Sequence, residues 1–106
     1  MWICFNDAFL SAVEDRNNSD YLYIRARRRE HLEAHFKPDE IIEMAGSDYA
    51  YRVHVTKKRY ADYVRDMIMN IDYDNFKNSV DDAELHTFYN RIWFEGLYMQ
   101  ERSVHY

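Results

Sequence analysis

Tyr21-Leu22-Tyr23-Ile24-Arg25-Ala26-Arg27 decides the fold class. In an extended chain Leu22, Ile24 and Ala26 share one side, and Tyr21, Tyr23, Arg25 and Arg27 share the other. Alternation with a period of two is the pattern of a β-strand with one dry face and one wet face. Such strands belong to antiparallel sheets, because parallel strands are covered on both faces and read as continuous apolar runs.

Working outward from that strand, the upstream chain repeats the pattern. Trp2 and Cys4 point one way and Ile3 and Phe5 the other; Asn6-Asp7 supplies turn chemistry before Phe9-Leu10-Ser11-Ala12-Val13. These two runs predict a hairpin. Glu14 to Asp20, with Asn17-Asn18-Ser19, reads as a polar loop. Downstream, Leu32 and Phe36 lie four apart among good helix formers, so a helix is expected from Arg29 to Phe36, stopped by Pro38. Glu40 to Met44 looks extended. Ala45-Gly46-Ser47-Asp48 is a turn signal, and Tyr49 to Val55 alternates again, with Tyr49, Tyr51, Val53 and Val55 expected on its buried side.

Beyond Val55 the period becomes helical. Thr56 can cap a helix in which Tyr60, Val64, Met67, Ile68 and Ile71 recur at three- and four-residue steps. Asp72-Tyr73-Asp74-Asn75 breaks it, because these short polar side chains compete for backbone groups. Ser79 or Asp81 is then expected to cap a last helix with Leu85, Phe88, Tyr89, Ile92 and Trp93 as its stripe, and Gln100 to Tyr106 to fray. The sum is one α+β domain over residues 1–106. An antiparallel sheet of about five strands carries a short helix and two longer C-terminal helices packed on one face.

Composition bounds the function. The chain has 106 residues and 13.0 kDa, which is one domain by size, and it carries only two glycines, one proline and one cysteine. Cys4 cannot form an internal disulfide, and a lone thiol fits a reducing cytoplasm. Met1-Trp2-Ile3-Cys4-Phe5 lacks a basic leader, so no signal peptide is expected, and no run approaches the ~20 apolar residues of a membrane span. Two glycines cannot build a phosphate loop, a dinucleotide fingerprint or a nucleophile elbow, and Cys4 stands among apolar neighbours. His31 and His35 share one helix side, but Leu32 stands where a zincin has its general base. Asp72-Tyr73-Asp74 opens like a calcium loop, yet Lys77 and Ala83 replace its glycine and closing glutamate. The expectation is a protein with no cofactor, no metal site and no catalytic residues.

Charge and tyrosine point to binding. Residues 1–59 hold ten basic and ten acidic side chains, whereas residues 60–106 hold four and nine, which accounts for the net charge of -5. Asp72, Tyr73, Asp74, Asp81, Asp82 and Glu84 therefore form the candidate contact surface for a basic partner, steered by charge. Tyrosine adds rigid area with a polar tip, as interfaces favour. The alternative is a small nucleic-acid binder using Arg25, Arg27, Arg28, Lys57 and Lys58, within the runs Arg25–Arg29 and Lys57–Arg59. Its net charge has the wrong sign for that role, so nucleic acid is the less favoured partner.

A resemblance accompanies these residues. Met1 to Ser11, Ser47-Asp48-Tyr49 with the following strand, Ile71 to Ser79 and His86 to Trp93 resemble small uncharacterised proteins of bacteriophages and prophages. The resemblance implies an accessory protein in the cytoplasm of a bacterial host. Such proteins often occlude a host protein's surface, and anti-CRISPR proteins are among them. It thus implies a non-enzymatic inhibitor of a host protein with a basic, nucleic-acid-binding surface, such as a CRISPR effector subunit, and leaves the oligomeric state open.

Overall fold

A computed structural model describes residues 1–104, with side chains through Arg102. Five strands, β1 (Trp2–Cys4), β2 (Phe9–Asp15), β3 (Asn18–Ala26), β4 (Ile42–Glu43) and β5 (Tyr51–Thr56), form one sheet in the order β1-β2-β3-β5-β4. Every neighbouring pair is antiparallel. The helices are α1 (Arg29–Glu33), α2 (Lys57–Met69) and α3 (Ala83–Val104), with 3-10 turns at Pro38–Glu40 and Lys77–Ser79. This is the α+β architecture that the alternation implied.

β3 is the middle strand, and its two sides behave as their residues dictate. Ile24 and Ala26 are fully buried in the main core with Leu10, Ala12, Leu32, Val53, Val55 and Tyr60. Tyr23 and Arg25 face the other way, opposite His54 and Arg52 of β5. The expected polar loop from Glu14 to Asp20 is a correction: β2 runs to Asp15 and β3 starts at Asn18, leaving Arg16-Asn17 as the turn. The Asp15 carboxylate accepts the Asn17 N–H at 2.9 Å and Asn18 Oδ1 accepts that of Asp20 at 3.1 Å, so the polar side chains tighten the turn instead of lengthening it.

The helices do not share one face, and this detail of the expected packing is also corrected. α1 and α2 cover the Leu10/Ile24/Val53 side through Leu32, Tyr60, Val64 and Met67. Phe9 precedes Leu10 and so points to the opposite side, where Val80, Leu85 and Tyr89 gather on it as a second core. α3 thus lies on the far face, anchored near its start. Its 22 residues span about 33 Å. The radius of gyration is 15.5 Å, where a compact chain of this length has about 13 Å, and the excess reflects the projecting helix.

The caps show local sequence control. Thr56 Oγ1 accepts the Arg59 N–H at 3.1 Å, as expected. At α3 the cap is Asp82, whose Oδ1 accepts the Leu85 N–H at 2.8 Å; neither Ser79 nor Asp81 does this. The Ser79 hydroxyl instead donates to Phe76 O, closing the preceding turn. The expected fraying of Gln100 to Tyr106 is not seen through Val104, which is still helical; His105 and Tyr106 lie outside the described residues. Tyr49 is buried as expected, but under Arg25 and Arg27, whose guanidiniums lie 4.5 and 4.3 Å from its ring, away from the Val53 side. Among the described residues no helix is long and apolar enough to cross a membrane.

Candidate functional site

The six residues of the expected acidic surface fall into two groups. Asp82 and Glu84 stand at the start of α3 beside Arg28, which pairs with Glu84 and lies 3.8 Å from Asp82 and from Glu30. Arg28 therefore engages both carboxylates, but one cation among Glu30, Asp82 and Glu84 leaves that end anionic. Asp72, Asp74 and Asp81 are exposed and form no ion pair among the described residues. Asp72 and Tyr73 border a groove with β1 and the end of α2, and Asp74 borders another with Ile92 and Trp93. Asp62 and Asp66 of α2 are engaged by Lys58 and Arg65. The Lys58 hydrogen bond is the main reason that the Asp62 carboxyl lies below its ordinary range.

The basic runs are met by carboxylates as well. Arg27 pairs with Asp48 at 2.9 Å, Lys57 with Glu14 at 2.7 Å and Lys58 with Asp62 at 2.8 Å. Arg59 grips Glu40 at 2.5 Å, which lowers the Glu40 pKa. Lys57, Lys58 and Arg59 thus open α2 against the helix dipole, with each charge answered locally. Among the described residues Arg25 pairs with no carboxylate, and it donates to Ser11 Oγ at 2.9 Å. It stands directly across from Arg52, and the Nε of each is buried without a partner.

Both helix histidines turn inward, contrary to the solvent-facing placement that ordinarily explains such a pair. His31 is buried and its Nδ1 accepts the Phe9 N–H at 3.3 Å; burial lowers its pKa. His35 sits between Asp7, 2.7 Å from Nε2, and the Tyr63 hydroxyl, 2.5 Å from Nδ1, with Phe5 tilted across its ring. His35 is 28 residues from Asp7 and 28 from Tyr63, so no local spacing could announce them. They tie the β1–β2 turn to the end of α1 and the middle of α2. Burial raises the Tyr63 pKa, as a phenol kept neutral requires. Among the described residues no three His, Cys, Asp or Glu side chains gather in a metal-holding cluster.

Cys4 is exposed, not embedded as its apolar neighbours suggested, because β1 is an edge strand. Partial burial of its thiol pushes the pKa above the ordinary 9.0, opposed by a hydrogen bond with Tyr89. The Tyr89 hydroxyl lies 2.8 Å from both Phe5 O and Ala8 O, fastening α3 to the first turn.

The largest unanswered feature is α3 beyond that anchor. Leu85 and Tyr89 are buried, whereas Phe88, Ile92, Trp93, Phe94, Leu97 and Tyr98 are exposed. At 100° per residue, Ile92, Trp93 and Gly96 continue the stripe of Leu85 and Tyr89, while Phe94 and Tyr98 lie across the axis from it. Beyond its anchor α3 therefore presents apolar side chains on both sides of its axis. The pairing of Phe94 with Tyr98 at four residues was visible in the sequence. No family model, curated protein or solved structure matches the chain.

Proposed function

We propose that the protein acts by binding another protein and not by catalysis, as an inhibitor that covers a host protein's surface in the manner the phage resemblance implies. The observation that supports this reading is the outer side of α3, where Phe94 is 48% and Tyr98 59% exposed and Leu97 stands beside them. Rigid aromatics at the centre of a patch are where binding energy concentrates, and Arg91, Glu95 and Glu101 supply a polar rim. Asp72, Asp74 and Asp81 remain free to meet cations of the partner, while Asp82 and Glu84 are engaged by Arg28. Nucleic-acid binding finds less support, because four of its five expected cations are paired with carboxylates.

The test is affinity isolation from bacterial lysate with three baits: wild type, Phe94→Ser/Tyr98→Ser, and Asp72→Lys/Asp74→Lys. A protein retained by wild type and lost from the aromatic double variant, with unchanged thermal unfolding, is the expected result. Loss from the charge-reversed variant alone would move the contact to the carboxylates, and equal retention by all three overturns both surfaces. In a host with an active CRISPR system, expression of wild type should restore plaques of a targeted phage, and the aromatic double variant should not.

A further inference from the structure

The two edges of the sheet are guarded unequally. At one edge β4 is only two residues long and carries Glu43. At the other, the Met1 ammonium is turned onto Ala12 O of β2, and the three-residue β1 lies within Met1-Trp2-Ile3-Cys4-Phe5, with no charged side chain or proline. Sheets that remain solitary blunt their edges with such residues, because an open strand is a template for another.

The register shows what β1 offers. Met1 N donates to Ala12 O at 2.7 Å, Ala12 N to Met1 O at 2.8 Å, and Phe5 N to Ala8 O at 2.8 Å. Bonded and non-bonded pairs alternate in an antiparallel ladder, so Met1, Ile3 and Phe5 direct their backbone groups at β2. The N–H and C=O groups of Trp2 and Cys4 point away from the sheet. Both faces of this edge carry apolar side chains among polar ones, Asn70 and Asp72 on one and Asp74, Asn75 and Lys77 on the other. On one, Met67, Ile68 and Ile71 help to line a groove of about 470 Å³; on the other, Tyr89, Ile92 and Trp93 help to line one of about 460 Å³.

We propose that this edge pairs with β1 of a second copy, antiparallel about a two-fold axis through Ile3, joining two five-stranded sheets into one of ten strands. In that register Trp2 of each copy stands opposite Cys4 of the other. Both are outward-facing residues, so each pair exchanges two hydrogen bonds, four in all. Trp2 and Cys4 share the Phe9 face, as the 5.6 Å contact between the Trp2 and Phe9 rings confirms. The Trp2 side chain, 68% exposed, thereby enters the groove beside Tyr89, Ile92 and Trp93 of the second copy. On the other face Ile3 meets its own symmetry mate between the two Ile68 and Ile71 walls.

A second copy is favoured over a foreign segment because strand and slot belong to the same surface, which is what a two-fold interface requires. β1 itself carries no charged side chain; Asp72 and Asp74 border the two grooves, Lys77 lies beside Asp74 in the second, and the dimer should therefore tighten as salt screens the carboxylates. Area agrees. Met1, Trp2, Ile68, Ile71, Ile92 and Trp93 are 41–72% exposed. Together they offer on the order of 600 Å², at the 150–250 Å² that large side chains bury, and the strand edges add to the ~800 Å² per partner of a standard interface. The inference goes beyond the proposed docking role of Phe94 and Tyr98, which lie on the other side of α3.

Sedimentation equilibrium from about 1 to 200 µM tests it, because self-association follows mass action. The wild type should approach twice 13.0 kDa. Trp2→Lys, a change at an exposed side chain, should hold the mass at one copy with thermal unfolding retained; Cys4→Lys serves as the second edge variant. Phe94→Ser should leave the dimer intact, which separates this inference from the docking reading. Amide exchange supplies the strand-level readout: the Trp2 and Cys4 N–H groups should be protected in the wild type and exposed in Trp2→Lys. A wild-type monomer at the highest concentration, a dimer that survives both edge variants, unprotected Trp2 and Cys4 amides, or a foreign peptide occupying the edge of a monomer would each overturn the proposal.

Discussion

Replacing Tyr89 with Phe isolates one hydroxyl. The ring stays packed against Phe76 and Phe88, with centroids at 5.0 and 5.7 Å, so little volume is lost. What disappears is the donor 2.8 Å from both Phe5 O and Ala8 O. A buried hydrogen bond contributes about 1 kcal/mol net, and the loss of a donor at Phe5 O adds to it while Ala8 O keeps the Phe5 N–H, so the change should cost about 1.5 kcal/mol. For a chain of this size that is a fall in Tm of roughly 6–10 °C. Circular dichroism melts of the two proteins at equal concentration measure it. Because that hydroxyl fastens α3 to the first turn, amide exchange in α3 should accelerate more than in β3. A Tm within 1 °C of wild type, or a uniform acceleration across the sheet, would refute the claim that this contact holds the helix.

Further expectations concern the caps, the buried imidazole and the thiol. Thr56→Ala removes the side-chain acceptor for Arg59 N–H and should cost about 1 kcal/mol, read from urea unfolding, while Thr56→Ser should recover most of it. Burial lowers the His31 pKa below 6.5, opposed by Glu30 and Asp82 and assisted by Arg28, so the unfolded chain binds the proton more tightly. Stability should thus be complete above about pH 6.5 and fall as the pH drops below it, and His31→Gln should flatten a Tm profile taken between pH 7 and 5. Cys4 should react with a disulfide reagent at pH 8 more slowly than a free cysteine peptide, with the rate still rising past pH 9, since burial raises its pKa.

What the sequence disclosed follows the range of the forces involved. The alternation of Leu22, Ile24 and Ala26 against Tyr21, Tyr23 and Arg25 sufficed for β3, because side-chain direction in a strand is fixed locally. Thr56 as a cap and the period of α2 were legible for the same reason. The sharing of helices between two faces was not, although the parity of Phe9 against Leu10 contains it; only the chain's return at Val80 shows that Phe9 is used. Glu14 to Asp20 misled because Asp and Asn signal a loop whether the turn takes two residues or seven. For the acidic residues only the charges were legible, and their partners were not. Local composition marked every carboxylate, but Arg28 meets Glu84 across 56 positions, a pairing set by the tertiary fold. Asp7, His35 and Tyr63 were hidden by the same distance.

The two cores lie back to back on one sheet, and they differ in depth. Four buried residues, Phe9, Val80, Leu85 and Tyr89, make up the smaller one, so its grip is the weaker. The long helix is therefore the segment expected to open first while β2, β3 and β5 stay folded, a partial opening that amide exchange would read as faster exchange in α3 than in the sheet. A protease that nicks the polypeptide after Val80 would release an arm and leave a barrel-less platform still standing.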